Sequence, residues 1–282
     1  MSTGVIVNIV GMSVDDVGPL RTPVRRGTLG VIATGTAASG PVLNGLRAAA
    51  REVGYTLVVF SVPGRGRSAV PAAVAGLRLQ GVAGIVLLDP HHFAEHSPVV
   101  GVPLVPAAAA DQYDGARRAT EHLLEIGHST VWHVGGPEDA PIARARERGW
   151  RETLERHGAD VPPVVRGDWS ARSGYRAGQS LAVEVRMCAV FTANDHMALG
   201  LLAAFAEAGV RVPRAAHVVG FDDVPEAAYF APPLTTIRQD FLAAGRETLV
   251  VLTAAIDGVV PLPRATVEAE LVVRESSRPS VS

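Results

Sequence analysis

Thr28–Gly54, TLGVIATGTAASGPVLNGLRAAAREVG, decides how the rest of the chain is read. An apolar, β-branched run over Thr28–Thr34 gives way to a loop of small residues, then to an amphipathic stretch over Pro41–Val53 that Gly54 stops. A short apolar run of this kind predicts a buried strand. Pro in the first turn and Gly just past the end punctuate a helix, because Pro lacks the N–H that a first turn cannot use and Gly adopts the left-handed exit.

Outward from there the unit recurs. Strands are predicted at Tyr55–Val62, Gly84–Leu88 and Val102–Val105, with helices at Ser68–Leu79 and at Gln112–Ile126, which Gly127 closes. The alternation then starts afresh: strand 129–135, helix 139–157 ended by Gly158, a short strand near 163–166 and helix 172–183. Strand 188–192, helix 195–208 stopped by Gly209, strand 216–220, helix 240–257 and a strand within 265–274 complete it. Apolar strands separated by helices imply parallel sheets covered on both faces. Two such runs with a Gly127–His128 break between them predict two doubly wound α/β lobes, and ligands in such sheets sit beyond the strand carboxyl ends. Residues 1–27 read as an irregular segment and 276–282 (SSRPSVS) as a disordered tail.

Composition removes several classes of function. The 282 residues carry 26 basic and 28 acidic side chains, a net charge of -2, which gives no general pull towards nucleic acid. Every basic residue is Arg; without Lys there is no phosphate loop ending in Lys, no Schiff base and no Lys general base. One cysteine, Cys188, excludes internal disulfides and Cys-rich zinc sites and fits a reducing compartment. Aromatics at 5% disfavour a base-stacking platform. No apolar run approaches the ~18 residues of a membrane span, and the first residues show no signal-peptide pattern, so a soluble, cytoplasmic protein is expected.

Two motifs are decoys. His92–His96 (HFAEH) has the spacing of an inverted zinc-protease pair, but Pro90 and Pro98 leave little room for a helix, and a solvated loop is the better reading; no metal is expected. Gly64-x-Gly66-x-x-Ala69 follows a strand, and Asp89 ends the next, as a dinucleotide site requires, so an NAD-type oxidoreductase is the alternative from another class. Against it, Pro63, Arg65 and Arg67 make that loop irregular. No G-x-S-x-G elbow seats a hydrolase nucleophile. The chain is not expected to be an enzyme, and no cofactor is expected.

The informative residues lie in the second half. Arg144, Arg146 and Arg148 precede Trp150; Gly167–Asp168–Trp169–Ser170 starts a helix, Asn194–Asp195 another, and Asp222–Asp223 follows a strand. Singly, each reads as a cap, a solvated face or core. Together they can converge on one crevice as guanidinium, amide, carboxylate and indole, a set suited to a neutral polyhydroxyl ligand.

These residues also carry a likeness. Ala119–His128 (ATEHLLEIGH), Arg144–Trp150 (RARERGW), Gly167–Tyr175 (GDWSARSGY), Ala193–Leu202 (ANDHMALGLL), Val218–Asp223 (VVGFDD) and Pro232–Phe241 (PPLTTIRQDF) resemble, in order and spacing, the effector-sensing core of the lac repressor–galactose repressor (LacI-type) family. The resemblance runs from about Gly27 to Arg274. It implies two lobes of periplasmic-binding-protein type joined by three crossovers: 28–127 plus 239–263, and 128–238 plus 264–275. It further implies a small sugar effector, a homodimer and allosteric control of operator DNA. By position, Arg146 would clamp hydroxyls, Trp169 stack or hydrogen-bond, Asn194 and Asp222 bond hydroxyls, Phe241 line the floor, and Thr34 and Pro41 approach from the first lobe. His196 occupies a position where Gln is common, and two larger departures stand out: no helix–turn–helix or hinge helix is recognised ahead of the core, and Val102–Asp111 (VPLVPAAAAD) is shorter and lacks an expected acidic residue. Residues 1–26 show no helix–turn–helix pattern, so DNA is expected as a partner only where such a head accompanies this core, and a sugar-binding protein without transcriptional output is the further alternative. As a residue on a cleft surface, Arg146 is expected to be replaceable by Ala without loss of fold. Lacking extra heptads, the chain is expected to stop at a dimer.

Overall fold

The computed structural model describes residues 27–34, 39–62, 69–88, 101–107, 111–184, 188–259 and 267–278. The HFAEH and Gly64–Gly66 motifs, Asp89, residues 1–26 and 279–282 lie outside them.

Strands β1 (Gly27–Thr34), β2 (Tyr55–Val62), β3 (Gly84–Leu88) and β4 (Leu104–Pro106) form one sheet in the order β2-β1-β3-β4. All its pairings are parallel. β3, GIVLL, is buried along its whole length, as a strand covered on both faces must be. One face packs helix α2 (Ala69–Leu79) through Val74 and Leu77; the other packs α1 (Ser39–Glu52) together with α7 (Phe241–Ile256) through Leu46, Leu249 and Leu252. Gly45 and Gly245 let α1 and α7 cross at backbone contact; a Cβ on Gly45 would overlap the Phe241 carbonyl.

A second sheet has the order β10-β9-β8-β7-β5-β6. It comprises β5 (Trp132–Gly135), β6 (Val165–Arg166), β7 (Cys188–Thr192), β8 (Ala216–Asp222), β9 (Thr235–Gln239) and β10 (Ala269–Val272). Helices α5 (Ala171–Glu184) and α6 (Asp195–Glu207) bury Leu181, Met197, Leu201 and Phe205 on one face. On the other, α3 (Gln112–Glu125) and α4 (Pro141–Arg156) bury Leu123, Trp150 and Leu154 against Phe191 and Phe221.

The structure departs from the sequence reading in three places. First, α3 belongs to the second sheet, not to a first lobe of 28–127. Its buried face, Ala116, Ala119 and Leu123, packs with Trp150 and Phe221. Gly127, at φ 106°, is the left-handed exit of that helix rather than a lobe boundary. The first crossing therefore falls at 107–111, just before Asp111 caps α3 by accepting the Tyr113 and Asp114 amides at 3.0 Å. Second, β9 was missed, and β10 pairs with it antiparallel, so the second sheet is not wholly parallel. A polar strand such as TTIRQ lacks the apolar run that marked the others. Third, residues 276–277 are not tail. Ser276 and Ser277 are fully buried. Ser276 Oγ donates to the Val218 carbonyl and accepts from the Thr235 amide, both at 2.7 Å, and Ser277 Oγ donates to Thr235 Oγ1 at 2.7 Å. The small hydroxyls tie the 275–277 turn into the sheet's hydrogen-bond network, which a hydropathy reading cannot register.

Candidate effector site

The carboxyl ends of β5, β7 and β8 lead into Gly136, Asn194 and Asp222–Asp223 on one side of the second sheet, and the segment after β6 brings Trp169 there. Arg146 reaches them from α4. It is 3% exposed, so it is a buried cation and not a cleft-surface residue. Its Nε donates to Gln112 Oε1 at 2.8 Å, Nη2 to Asp222 Oδ1 at 3.2 Å, and Nη1 to the Ala193 carbonyl. The guanidinium carbon lies 3.7 Å from the Phe221 ring centroid and 5.7 Å from that of Trp169. Burial outweighs the Asp222 charge in setting its acidity and lowers its pKa. Burial likewise raises the pKa of Asp222, against the pull of Arg146 and the hydrogen bond from Gln239. Both partners thus lose more by desolvation than they regain from each other, the usual state of a buried ion pair.

Asn194 caps α6: Oδ1 accepts the Met197 amide at 2.9 Å, and Nδ2 donates to the Trp169 carbonyl at 3.0 Å. Trp169 has φ 73°, and its indole lies over Gly136, where a Cβ would overlap the ring. Gly136→Ala is expected to push the indole outward and cost about 1–3 kcal/mol by overpacking. Tryptophan emission should shift; an unchanged spectrum and melting temperature would show that the ring does not rest there.

Four of the predicted residues, Arg146, Trp169, Asn194 and Asp222, are therefore brought together. Arg144 and Arg148 are not. They point to solvent, Arg144 donating to the Glu138 and Asp139 carbonyls and Arg148 lying 5.2 Å from the Tyr113 ring centroid, because alternate positions on a helix do not share a face. Asp168 closes a local turn on the Ser170 amide, and Asp223 pairs with Arg238 and Arg274, each at 2.7 Å. Phe241 opens α7, with its backbone against Gly45, and lines a groove with Arg238, Gln239 and Asp240. Thr34 ends β1 and Pro41 stands in the first turn of α1; their side chains lie outside the described residues. His196 is exposed on α6.

Sequence reasoning missed Gln112 and Gln239. Their side chains bond each other at 2.9 Å, and each also serves the buried pair: Gln112 accepts from Arg146, and Gln239 donates to Asp222 Oδ1 at 2.7 Å. The first residue of a helix and the last of a polar strand carry no signal until α3 is placed on this sheet.

Two buried groups set a pH dependence. Burial pushes the pKa of Asp195 up to about 8, with the Asp222 charge adding to it, and pushes that of His133 down to about 4. Folded His133 therefore costs stability as pH falls from 6.5 towards 4. Asp195 holds its proton in the folded chain long after an unfolded Asp has lost it, so its contribution is full below pH 3.8 and drains away up to about 8. From pH 6.5 to 8, above the His133 window, the Asp195 contribution is the one that drains away with a midpoint set by burial. The unfolding free energy should fall there by about 2 kcal/mol and stay level in Asp195→Asn, measured by urea denaturation. Parallel curves for the two proteins would contradict this.

Among the described residues no helix is long and apolar enough to cross a membrane, and no group of three metal-ligating side chains is gathered. The strand order also bears on the dinucleotide alternative: β2, ahead of the Gly64–Gly66 loop, is an edge strand, whereas such sites form where the order reverses, here between β1 and β3.

Residues 120–277, more than half of the chain, match the family described as periplasmic binding protein-like domain. The chain belongs to that family. Its relatives place it with the effector-binding cores of LacI-type regulators. It is 33% identical over 240 residues to the lactose operon repressor of Escherichia coli (strain K12), covering 78% of this chain and 66% of that protein. A structure described as the lac repressor dimer bound to operator and the anti-inducer ONPF superposes with a TM-score of 0.81 at 29% identity, covering 89% of this chain and 93% of that one. A transcriptional regulator CelR–cellobiose complex gives 0.77 at 29% identity, covering 91% and 86%. The chain spans about half to two thirds of the length of the curated relatives it matches.

Proposed function

We propose that this periplasmic-binding-protein-like chain is the sensing core of a LacI-type transcriptional repressor, that it takes a small neutral sugar between its two sheets, and that it is not an enzyme. The observation that carries the reading is the Arg146–Asp222 pair. One buried positive charge and one part-buried negative charge face each other, which leaves donors and acceptors with no net charge on the pair. Such a set suits hydroxyls, which both donate and accept, better than an anion, and the Trp169 indole supplies a flat apolar wall for a sugar ring. Arg146, Trp169, Asn194 and Asp222 are the ligand residues in this reading, with Thr34, Pro41 and Phe241 contributed from the first sheet and α7.

The chain passes between the sheets at 107–111, at 239–241 and again between 259 and 267. Three strands of connection allow a hinge to bend while resisting free tumbling. A sugar preferring the closed form shifts that hinge only by its difference in affinity for the two forms. About 1–3 kcal/mol of such coupling changes affinity for a partner by about 5–150-fold. The partner in this reading is operator DNA, held by a helix–turn–helix head where one accompanies the core, in a cytoplasmic homodimer.

Calorimetry against neutral mono- and disaccharides, cellobiose among them, with glucose 6-phosphate and NAD as controls, tests the reading. A neutral sugar should bind, and Asp222→Asn should weaken it by about 1–3 kcal/mol, or 5–150-fold, because a buried hydroxyl loses its charged partner. Binding of NAD alone, or of the phosphate in preference to the neutral sugars, would overturn it.

A further inference from the structure

Asp195 is fully buried, yet it is absent from the set of ligand residues. It stands on the first turn of α6, beside the capping Asn194, and faces inward. Oδ2 accepts the Val224 amide at 2.9 Å, and Oδ1 accepts from Thr236 Oγ1 at 2.6 Å. One carboxyl thereby joins three elements: α6, the turn after β8, and β9. The turn it grips is strained, with φ 111° at Asp222 and 53° at Asp223, a region that side chains other than Gly enter only where their surroundings hold them. Gly220 leaves the room for this: a Cβ there would overlap Asp195 Oδ1. Two residues on, the same turn delivers Asp222 to Arg146 and Gln239.

We propose that Asp195 is the positioning residue of this cleft: it holds the 222–224 turn that aims Asp222 at Arg146, and its ionisation loosens that aim. The proposal rests on the reading of the cleft as a ligand site and adds a proton-linked control to it. The charged groups around Asp195 are Arg146 from α4, Asp222 and Asp223 from the end of β8, and His196 on its own helix; Arg238 of β9 and Arg274 after β10 are turned to Asp223. As the neutral acid, Asp195 donates to Thr236 Oγ1 and still accepts from Val224, so the turn is held with a single carboxylate beside Arg146. As the carboxylate it is held by the Thr236 hydroxyl instead, and two buried negative charges share one guanidinium. Their repulsion falls on the strained turn that carries Asp222. The pKa of about 8 given to Asp195 by burial and by Asp222 puts this change within a physiological reach.

The experiment reads the Arg146 Nε–H resonance of the ligand-free chain, assigned by its absence in Arg146→Lys, between pH 6 and 10. In the wild type this resonance should move with a midpoint near 8, and the Val224 amide should exchange faster on the alkaline side. Asp195→Asn, which keeps the shape and the hydrogen bonds but cannot ionise, should hold both signals at their acidic positions throughout. Asp195→Ala should displace the Arg146 signal at every pH and speed Val224 exchange at least tenfold. A wild-type Arg146 signal that does not titrate, or an Asn variant that titrates like the wild type, overturns the proposal even if the Ala variant fails to fold. No sugar enters the measurement, so failure of the sugar screen and failure of the positioning role are read separately.

Discussion

Arg146→Ala should lower the unfolding free energy by about 3–5 kcal/mol, the cost of stranding a buried charge whose partner has been removed. It should abolish sugar binding as well. The truncation leaves Asp222 with Gln239, and it removes the donor from the Ala193 carbonyl and from Gln112 Oε1 at once. The buried position reverses the sequence-based expectation of an intact fold. Arg146→Met combined with Asp222→Asn separates the two effects: removing both charges should restore most of the stability, because burial costs each more than the pair returns, yet leave sugar binding absent. Urea denaturation of the wild type, Arg146→Met, Asp222→Asn and the double variant closes the cycle. A loss below about 1 kcal/mol in the single variant would mean that water reaches the pair and screens it.

The second large effect is expected at Trp150, 0% exposed on the inner face of α4. Its Nε1 donates to the Val131 carbonyl at 2.8 Å, and its ring stacks on His133 with centroids 5.2 Å apart. His133 in turn stacks on Phe191 at 4.8 Å, which meets Phe221, the ring beneath Arg146. Trp150→Ala opens a void at the base of this column and leaves a buried carbonyl unpaired, and should cost about 3–5 kcal/mol. The same void lets water to the imidazole, so the acid limb of stability set by His133 should flatten. A melting temperature within a few degrees of the wild type would show that α4 collapses onto the space.

Where the sequence was legible, one kind of signal did the work. Apolar runs ended by Gly or opened by a capping Asp or Asn marked β1, β3, β5, β7 and β8, with the helices between them, and those strand ends carry Asn194 and Asp222. Arg146 could be named from its likeness to a family, but not its burial, since one guanidinium in a row of alternating arginines looks like its neighbours. Gln112, Gln239 and the Asp195 clasp were hidden because each depends on an element placed by packing. α3 turns to the second sheet because its small Ala116 and Ala119 fit beside Phe221, and β9 carries hydroxyls where a core strand carries valines. Local pattern reports what a residue prefers; these positions are set by what comes to lie against them.

The buried serines near the end of the chain have a consequence for how the protein is made. The six-stranded sheet is closed by β10 and by Ser276 and Ser277, while the four-stranded one waits for α7 to cover α1. During vectorial synthesis the four-stranded half can close once α7 has emerged, whereas β9 stays an open edge until β10 and the two serines follow it. A nascent chain released before Ala269 therefore carries a covered four-stranded sheet but an open β9 edge, so premature termination there yields aggregates rather than a shortened sensor.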